Sequence, residues 1–130
     1  MKKYIYITIV ALAVIGGIVW LIMTPAKPGK LDAFATCLKD KGSTFYGASW
    51  SSFSEDLKKS FGSSAKLLSY VECSNSNYIQ NQVCIDKNIN TFPTWEFADG
   101  SRLSGIGVSS TSISLEKLAE KTSCILPLVR

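Results

Sequence analysis

Residues 47–61 read GASWSSFSEDLKKSF, and this stretch joins a short apolar segment to a serine-rich helix start. Residues 44–48, which lead into this stretch and overlap its start, have the composition of a buried strand. From Ser51 onward the apolar side chains recur at helical spacing, at Phe53, Leu57 and Phe61. Serine is among the best N-cap residues, and residues 52–55 have the spacing of a capping box. The stretch therefore predicts a strand and a serine-capped helix, with Trp50 between them.

The remaining elements follow in chain order. We predict a helix from Leu31 that ends at Gly42, a strand over residues 67–73, a helix over 78–87 with a left-handed Asn88 at its end, a hairpin formed by residues 94–97 and 102–104 around Asp99-Gly100, and a last helix from Ser114. Strands first alternate with helices and then form a hairpin. This order predicts an α/β fold with a central mixed sheet flanked by helices.

The first part of the chain has a different composition. Residues 4–24 contain no charged side chain, and a helix of that length can cross a bilayer core of roughly 30 Å. The apolar region of a cleaved signal peptide is shorter, about 7–15 residues, although Thr24 and Ala26 could form a small-residue cleavage site. We predict a retained transmembrane anchor over residues 1–24, a linker over 25–30, and one domain over 31–130.

Charge and cysteine content bear on where the domain lies. Lysines flank the apolar segment on both sides, so the positive-inside rule gives little direction. The even number of cysteines fits an oxidising compartment. We therefore predict a single-pass protein of the cell membrane, with a cytoplasmic N-terminus and an extracytoplasmic domain. The formal charge of +4 belongs to the anchor and its flanks, because residues 31–130 carry equal numbers of basic and acidic residues. A nucleic-acid partner is not expected.

Several kinds of chemistry lack their usual residues. The chain has no histidine, which is the commonest general base, although an acidic residue in that role stays open. It also has no Cys-x-x-Cys pair, so neither a metal site nor a cofactor is predicted.

Three stretches together resemble a known family: FATCLKDKGSTFYGASW, YVEC, and FPTWEFADGSRLSG followed by SLEKLAEKTSC. They are similar to the thioredoxin-like domain attached to bacterial vitamin K epoxide reductase homologues. The resemblance covers roughly residues 31–124 and implies a thioredoxin-like fold. The four-helix reductase domain of those fusion proteins has no counterpart here, and a single apolar segment stands in its place.

In that family the tryptophan is followed by Cys-x-x-Cys at a helix start, where unpaired backbone N–H groups lower the pKa of the first thiol. The matching positions here are Ser51 and Ser54, which cannot exchange disulfides. Either the active site was lost naturally or two cysteines were replaced deliberately. The intervening Ser52-Phe53 also departs from the family's usual pair, which slightly favours natural loss.

The resemblance further implies that Pro93 follows a cis peptide bond beside the helix start. Such a proline can present a backbone edge to an extended peptide. Together with Trp50, Phe53 and Phe92 it would form an apolar groove for a peptide, although these rings could simply belong to the core. The resemblance also implies two structural disulfides, Cys37–Cys124 and Cys73–Cys84. The alternative is that Cys73 and Cys84 form a displaced redox pair.

Three functional hypotheses follow. The first is a membrane-anchored, extracytoplasmic binding module that has lost redox catalysis and holds a peptide or partner protein at the Pro93 groove. The second is a thiol–disulfide oxidoreductase whose native form carries cysteines at positions 51 and 54. The third is a structural domain attached to a membrane redox protein, such as a separately encoded quinone reductase.

Overall fold

The computed structural model describes residues 2–23, 27–105 and 113–128. The first helix, α1, spans Lys2–Met23, and none of its residues is buried. It is long and apolar enough to cross a membrane, a test that an N-terminal signal sequence also passes. The predicted apolar helix is thus confirmed. The end of the predicted anchor at residue 24 and the first linker residues, 25 and 26, lie outside the described residues.

The elements after α1 alternate as the sequence predicts. They are α2 Asp32–Asp40, β1 Thr44–Gly47, α3 Ser52–Ser60, a 3₁₀ helix Gly62–Leu67, β2 Tyr70–Glu72, α4 Gln82–Asp86, β3 Thr94–Glu96, β4 Arg102–Ser104 and α5 Leu115–Thr122. Helix α2 stops at a left-handed Gly42 with φ of 73°. Helix α4 is followed by Asn88 in the same conformation, as predicted.

The four strands form one mixed sheet in the order β2-β1-β3-β4. Strand β2 runs parallel to β1, whereas β3 runs antiparallel to both β1 and β4. Phe45 on the central strand β1 is opposite Tyr70 on β2 and Trp95 on β3. The predicted mixed sheet is therefore confirmed.

Apolar side chains pack on both faces of the sheet. Phe45 and Trp95 stack with ring centroids 5.1 Å apart in a core that also receives side chains from α2, α3 and α5. Tyr46, the next residue along β1, belongs to a smaller cluster with Cys73, Cys84 and Ile89. This alternation follows from the two-residue period of a strand. Helices therefore flank the sheet, and β1 is buried from both sides.

Two disulfides connect these layers. Cys37 on α2 is bonded to Cys124, just after α5, and Cys73 after β2 is bonded to Cys84 on α4. These are the pairs that the resemblance implies. Each bond joins elements that belong to one apolar cluster.

Two predicted elements are shorter than expected. The helix predicted over residues 78–87 is wrong in its first turn, because Asn75 Oδ1 accepts hydrogen bonds from the backbone N–H groups of Asn77 and Ile79. Tyr78 then has a positive φ of 62°, so helix α4 starts only at Gln82. The strand predicted over 67–73 is reduced to β2, because the 3₁₀ helix includes Leu67.

Candidate functional site

The site is built around the N-terminus of α3. Ser51 is the N-cap residue, and its Oγ accepts a hydrogen bond from the backbone N–H of Ser54 at 3.4 Å. The capping box predicted over residues 52–55 is wrong, because a tight turn from Ser51 N–H to Ala48 C=O leaves Ser51 extended and makes Ser52 the first helical residue. Glu55 is then one position too far along, and its carboxylate pairs with Lys58 at 3.0 Å.

The second serine also has a structural contact. Ser54 is fully buried, and its Oγ accepts a hydrogen bond from the backbone N–H of Ala48 at 3.3 Å. This bond ties the end of β1 to the first turn of α3. Both serine hydroxyls therefore take part in backbone hydrogen bonds that fix the helix start. Neither can become a thiolate or form a disulfide.

Pro93 lies beside this helix start. The Phe92–Pro93 peptide bond is cis, as the resemblance implies. The Ser51 hydroxyl donates a hydrogen bond to the carbonyl oxygen of Phe92 at 3.4 Å. One hydroxyl thus connects the cap of α3 to the residue that precedes the cis proline.

Trp50 and Phe92 belong to a surface that we call the aromatic cluster, made of Trp50, Tyr78 and Phe92. The Trp50 ring meets Phe92 edge to face at 6.0 Å and Tyr78 at a tilt at 6.4 Å between centroids. Trp50 is 51% exposed and Tyr78 74% exposed. All three rings come from stretches without a charged residue, namely residues 42–54, 73–85 and 88–95. Sequence analysis missed Tyr78, because the periodicity placed it on a helix.

Phe53 and Pro93 line a different surface, which we call the α3–α5 groove. This groove has a volume of about 500 Å³. Its described lining residues are Phe53, Asp56, Leu57, Ser60, Pro93, Gly105, Ile113, Ser114, Leu115 and Glu116. The four residues predicted to form one apolar site are therefore divided between two surfaces, which meet at the Phe92–Pro93 bond. Sequence reasoning missed the contribution of α5, because nothing in the chain indicates that residues 113–116 approach Pro93.

Glu72 fixes the loop that carries Trp50. Its Oε1 accepts hydrogen bonds from the backbone N–H groups of Ser49 and Ser74, both at 3.1 Å, and its Oε2 accepts one from the Tyr70 hydroxyl at 2.8 Å. Burial raises the pKa of Glu72, but these hydrogen bonds outweigh it and hold the pKa below its usual value. The pKa of Tyr70 is raised by burial and by its bond to Glu72, so the tyrosine stays a neutral donor. The only sequence signal for Glu72 was an acidic residue at the end of a predicted strand.

Across the described residues every cysteine is disulfide-bonded. The N-terminus of α3 therefore carries two buried serine hydroxyls beside exposed aromatic rings and an open groove. No known protein-family model matches the chain.

Proposed function

We propose that the chain is a membrane-anchored thioredoxin-like protein that has lost thiol–disulfide exchange and binds extended peptides. The observation that carries this proposal is the position of Ser51. It caps the helix after β1, and its hydroxyl reaches the carbonyl that precedes the cis Pro93, with an open groove alongside.

The arrangement of the elements supports the thioredoxin-like class. A strand, a helix and a parallel strand are followed by an antiparallel hairpin that begins directly after a cis proline. In that fold the reactive cysteine pair lies at the start of the helix after the central strand, where Ser51 and Ser54 lie here. A serine hydroxyl is far too weak an acid to ionise there, so this site cannot carry out thiol–disulfide exchange. The helix start itself is intact.

The groove supports a binding role. Its volume lies in the range of about 300–1,000 Å³ that is usual for ligand sites. Phe53 is 43% exposed on the surface of α3, and the residues on both sides of it in the sequence are polar. A bulky apolar side chain that is left exposed beside a groove is a typical contact for a ligand.

Two features support an extracytoplasmic position at the membrane. Helix α1 is long and apolar enough to anchor the chain. The two disulfides are stable in an oxidising compartment and are rare in the cytosol. Both features together favour a cytoplasmic N-terminus and a folded domain on the other side.

Peptide binding can be tested on the full chain in nanodiscs. A library of extended, terminally blocked peptides would be screened by fluorescence anisotropy. We expect binders, and we expect Phe53→Ser to weaken their binding about tenfold, since a buried aromatic anchor contributes on the order of 1–2 kcal/mol. Ile125→Ser is the matched control, because Ile125 is 87% exposed and does not line the groove.

Two results would contradict the proposal. If no peptide bound, or if Phe53→Ser and Ile125→Ser behaved alike, the groove would not be the binding site. The same preparation should fail to reduce insulin disulfides, and turnover there would refute the loss of redox activity.

A further inference from the structure

The α3–α5 groove combines an apolar floor with an acidic rim. Phe53, Leu57 and Pro93 supply apolar surface from one side, and Ile113 and Leu115 supply it from the start of α5. The side chains from α3 are at positions 53, 56, 57 and 60, which lie on one face of a helix. One charged position on that face therefore lies next to the apolar floor.

That position is occupied by Asp56, and a second carboxylate, Glu116, lies on α5. Among the described lining residues these are the charged side chains, and both are acidic. The domain as a whole has equal numbers of acidic and basic residues, so the acidic pair is a local feature of the groove.

Neighbouring positive charge does not cancel this pair. Lys59 bonds to Asp56 at 3.1 Å, but both side chains are about 70% exposed, and exposed ion pairs of this kind are worth little. The N-terminus of α5 is partly positive. Glu116 already occupies it, and hydrogen bonds from its own backbone N–H and from Ser114 hold the pKa of Glu116 below its usual value. Glu116 is thus charged at neutral pH.

We propose that the groove selects extended peptide segments in which an apolar side chain lies next to a lysine or arginine. The apolar side chain would contact Phe53 and Leu57, and the cation would lie between Asp56 and Glu116. This inference rests on the proposed peptide-binding function and adds the class of ligand to it.

Three peptides that differ at one position test the selection. Each is extended, blocked at both ends and carries one phenylalanine, followed by Lys, Gln or Glu. Their affinities would be measured by anisotropy for the full chain in nanodiscs of zwitterionic lipid, so that lipid charge does not contribute. We expect the Lys peptide to bind about tenfold more tightly than the Glu peptide, with Gln between them, because each exposed pair is worth about 0.2–1 kcal/mol. The difference should shrink as salt screens the charges.

A variant assigns the selection to the two carboxylates. Asp56→Asn with Glu116→Gln should remove the preference for the Lys peptide over the Glu peptide. The matched control is Asp40→Asn with Glu120→Gln, which changes the net charge equally at two acids outside the groove and should keep the preference.

The outcomes separate this inference from the proposed function. If the three peptides bind equally, or if the control variant also loses the preference, the charge selection is overturned and peptide binding stands. If none of the three binds but other library peptides do, the ligand class is wrong. If no peptide of any sequence binds, the proposed function fails as well.

Discussion

At the scale of single residues, the site depends on hydroxyls and one carboxylate that hold backbone in place. Ser51 joins the cap of α3 to the carbonyl before Pro93, and Ser54 joins the end of β1 to α3. The Glu72 carboxylate holds the Trp50 loop by accepting a hydrogen bond from the backbone N–H of Ser49. These contacts fix the shape of a helix start that carries serine hydroxyls.

The Glu72 contacts predict a dependence of stability on pH. The folded-state pKa of Glu72 is below its usual value, so its contribution is present above about pH 4.5 and is lost as the pH falls through the folded pKa. Glu72→Gln should cost about 1 kcal/mol of unfolding free energy at pH 7, because hydrogen bonds to a charged group are replaced by neutral ones. As the pH falls through the folded-state pKa of Glu72, the variant and the parent should converge.

Urea unfolding followed by tryptophan fluorescence between pH 3 and 7 measures this difference. Asp99, whose pKa is lowered to about 2 chiefly by hydrogen bonds from Ser101, is present in both proteins and drops out of the comparison. Glu120→Gln is the control, as an exposed acid on α5. A difference that stayed constant across the pH range would show that the charge of Glu72 is not what stabilises the loop.

At the scale of elements, short-range signals predicted most of the fold. Apolar spacing placed α2, α3 and α5, and Asp99-Gly100 placed the hairpin. The late start of α4 depends on side-chain contacts such as Asn75 Oδ1 to the N–H of Ile79, which compete with a periodic pattern. Strand β2 starts late because the chain forms a 3₁₀ helix through Leu67.

The site was less predictable than its elements. Ser51 and Pro93 were located from the resemblance, but the groove needs α5 to approach α3. Residues about 60 positions apart form it, and no local pattern reports such a distance. Likewise, Tyr78 joins the aromatic cluster only because its loop turns back at a positive φ.

The disulfides give an element-scale prediction. Cys37–Cys124 spans 87 positions and Cys73–Cys84 spans 11. On the loop-entropy account their removal should cost about 4.5 and about 3 kcal/mol respectively, because the longer bridge restricts the unfolded chain more. Paired Cys→Ala variants remove the same atoms at each site and so serve as controls for one another. Urea midpoints should rank the long bridge as the more stabilising, and the opposite rank would mean that local packing at Cys73 and Cys84 dominates.

At the scale of the whole molecule, the linker and the Ser51 cap lie at opposite ends of α3. The backbone N–H of Leu31, where the linker enters the domain, donates a hydrogen bond to Ser64 Oγ just beyond the C-terminal end of α3. Ser51 caps the other end, about 13 Å away for a helix of nine residues. The chain thus enters the domain at the end of α3 opposite to Ser51.

This arrangement predicts that the domain folds and binds without α1. No residue of α1 is buried, and both apolar clusters consist of residues from Leu31 onward. A chain that begins at Lys27 should be soluble without detergent and keep both disulfides. Its free energy of unfolding should lie within about 0.5 kcal/mol of that of the full chain measured in nanodiscs. Its peptide affinities should match those of the full chain.

A chain that begins at Ala33 is the control. It lacks Leu31, which is 4% exposed, and its free energy of unfolding should fall by about 2–3 kcal/mol. Aggregation of the chain from Lys27 with α1 removed would show that the helix supports the fold as well as anchoring it, and equal stability of the two truncations would show that Leu31 is not part of the core.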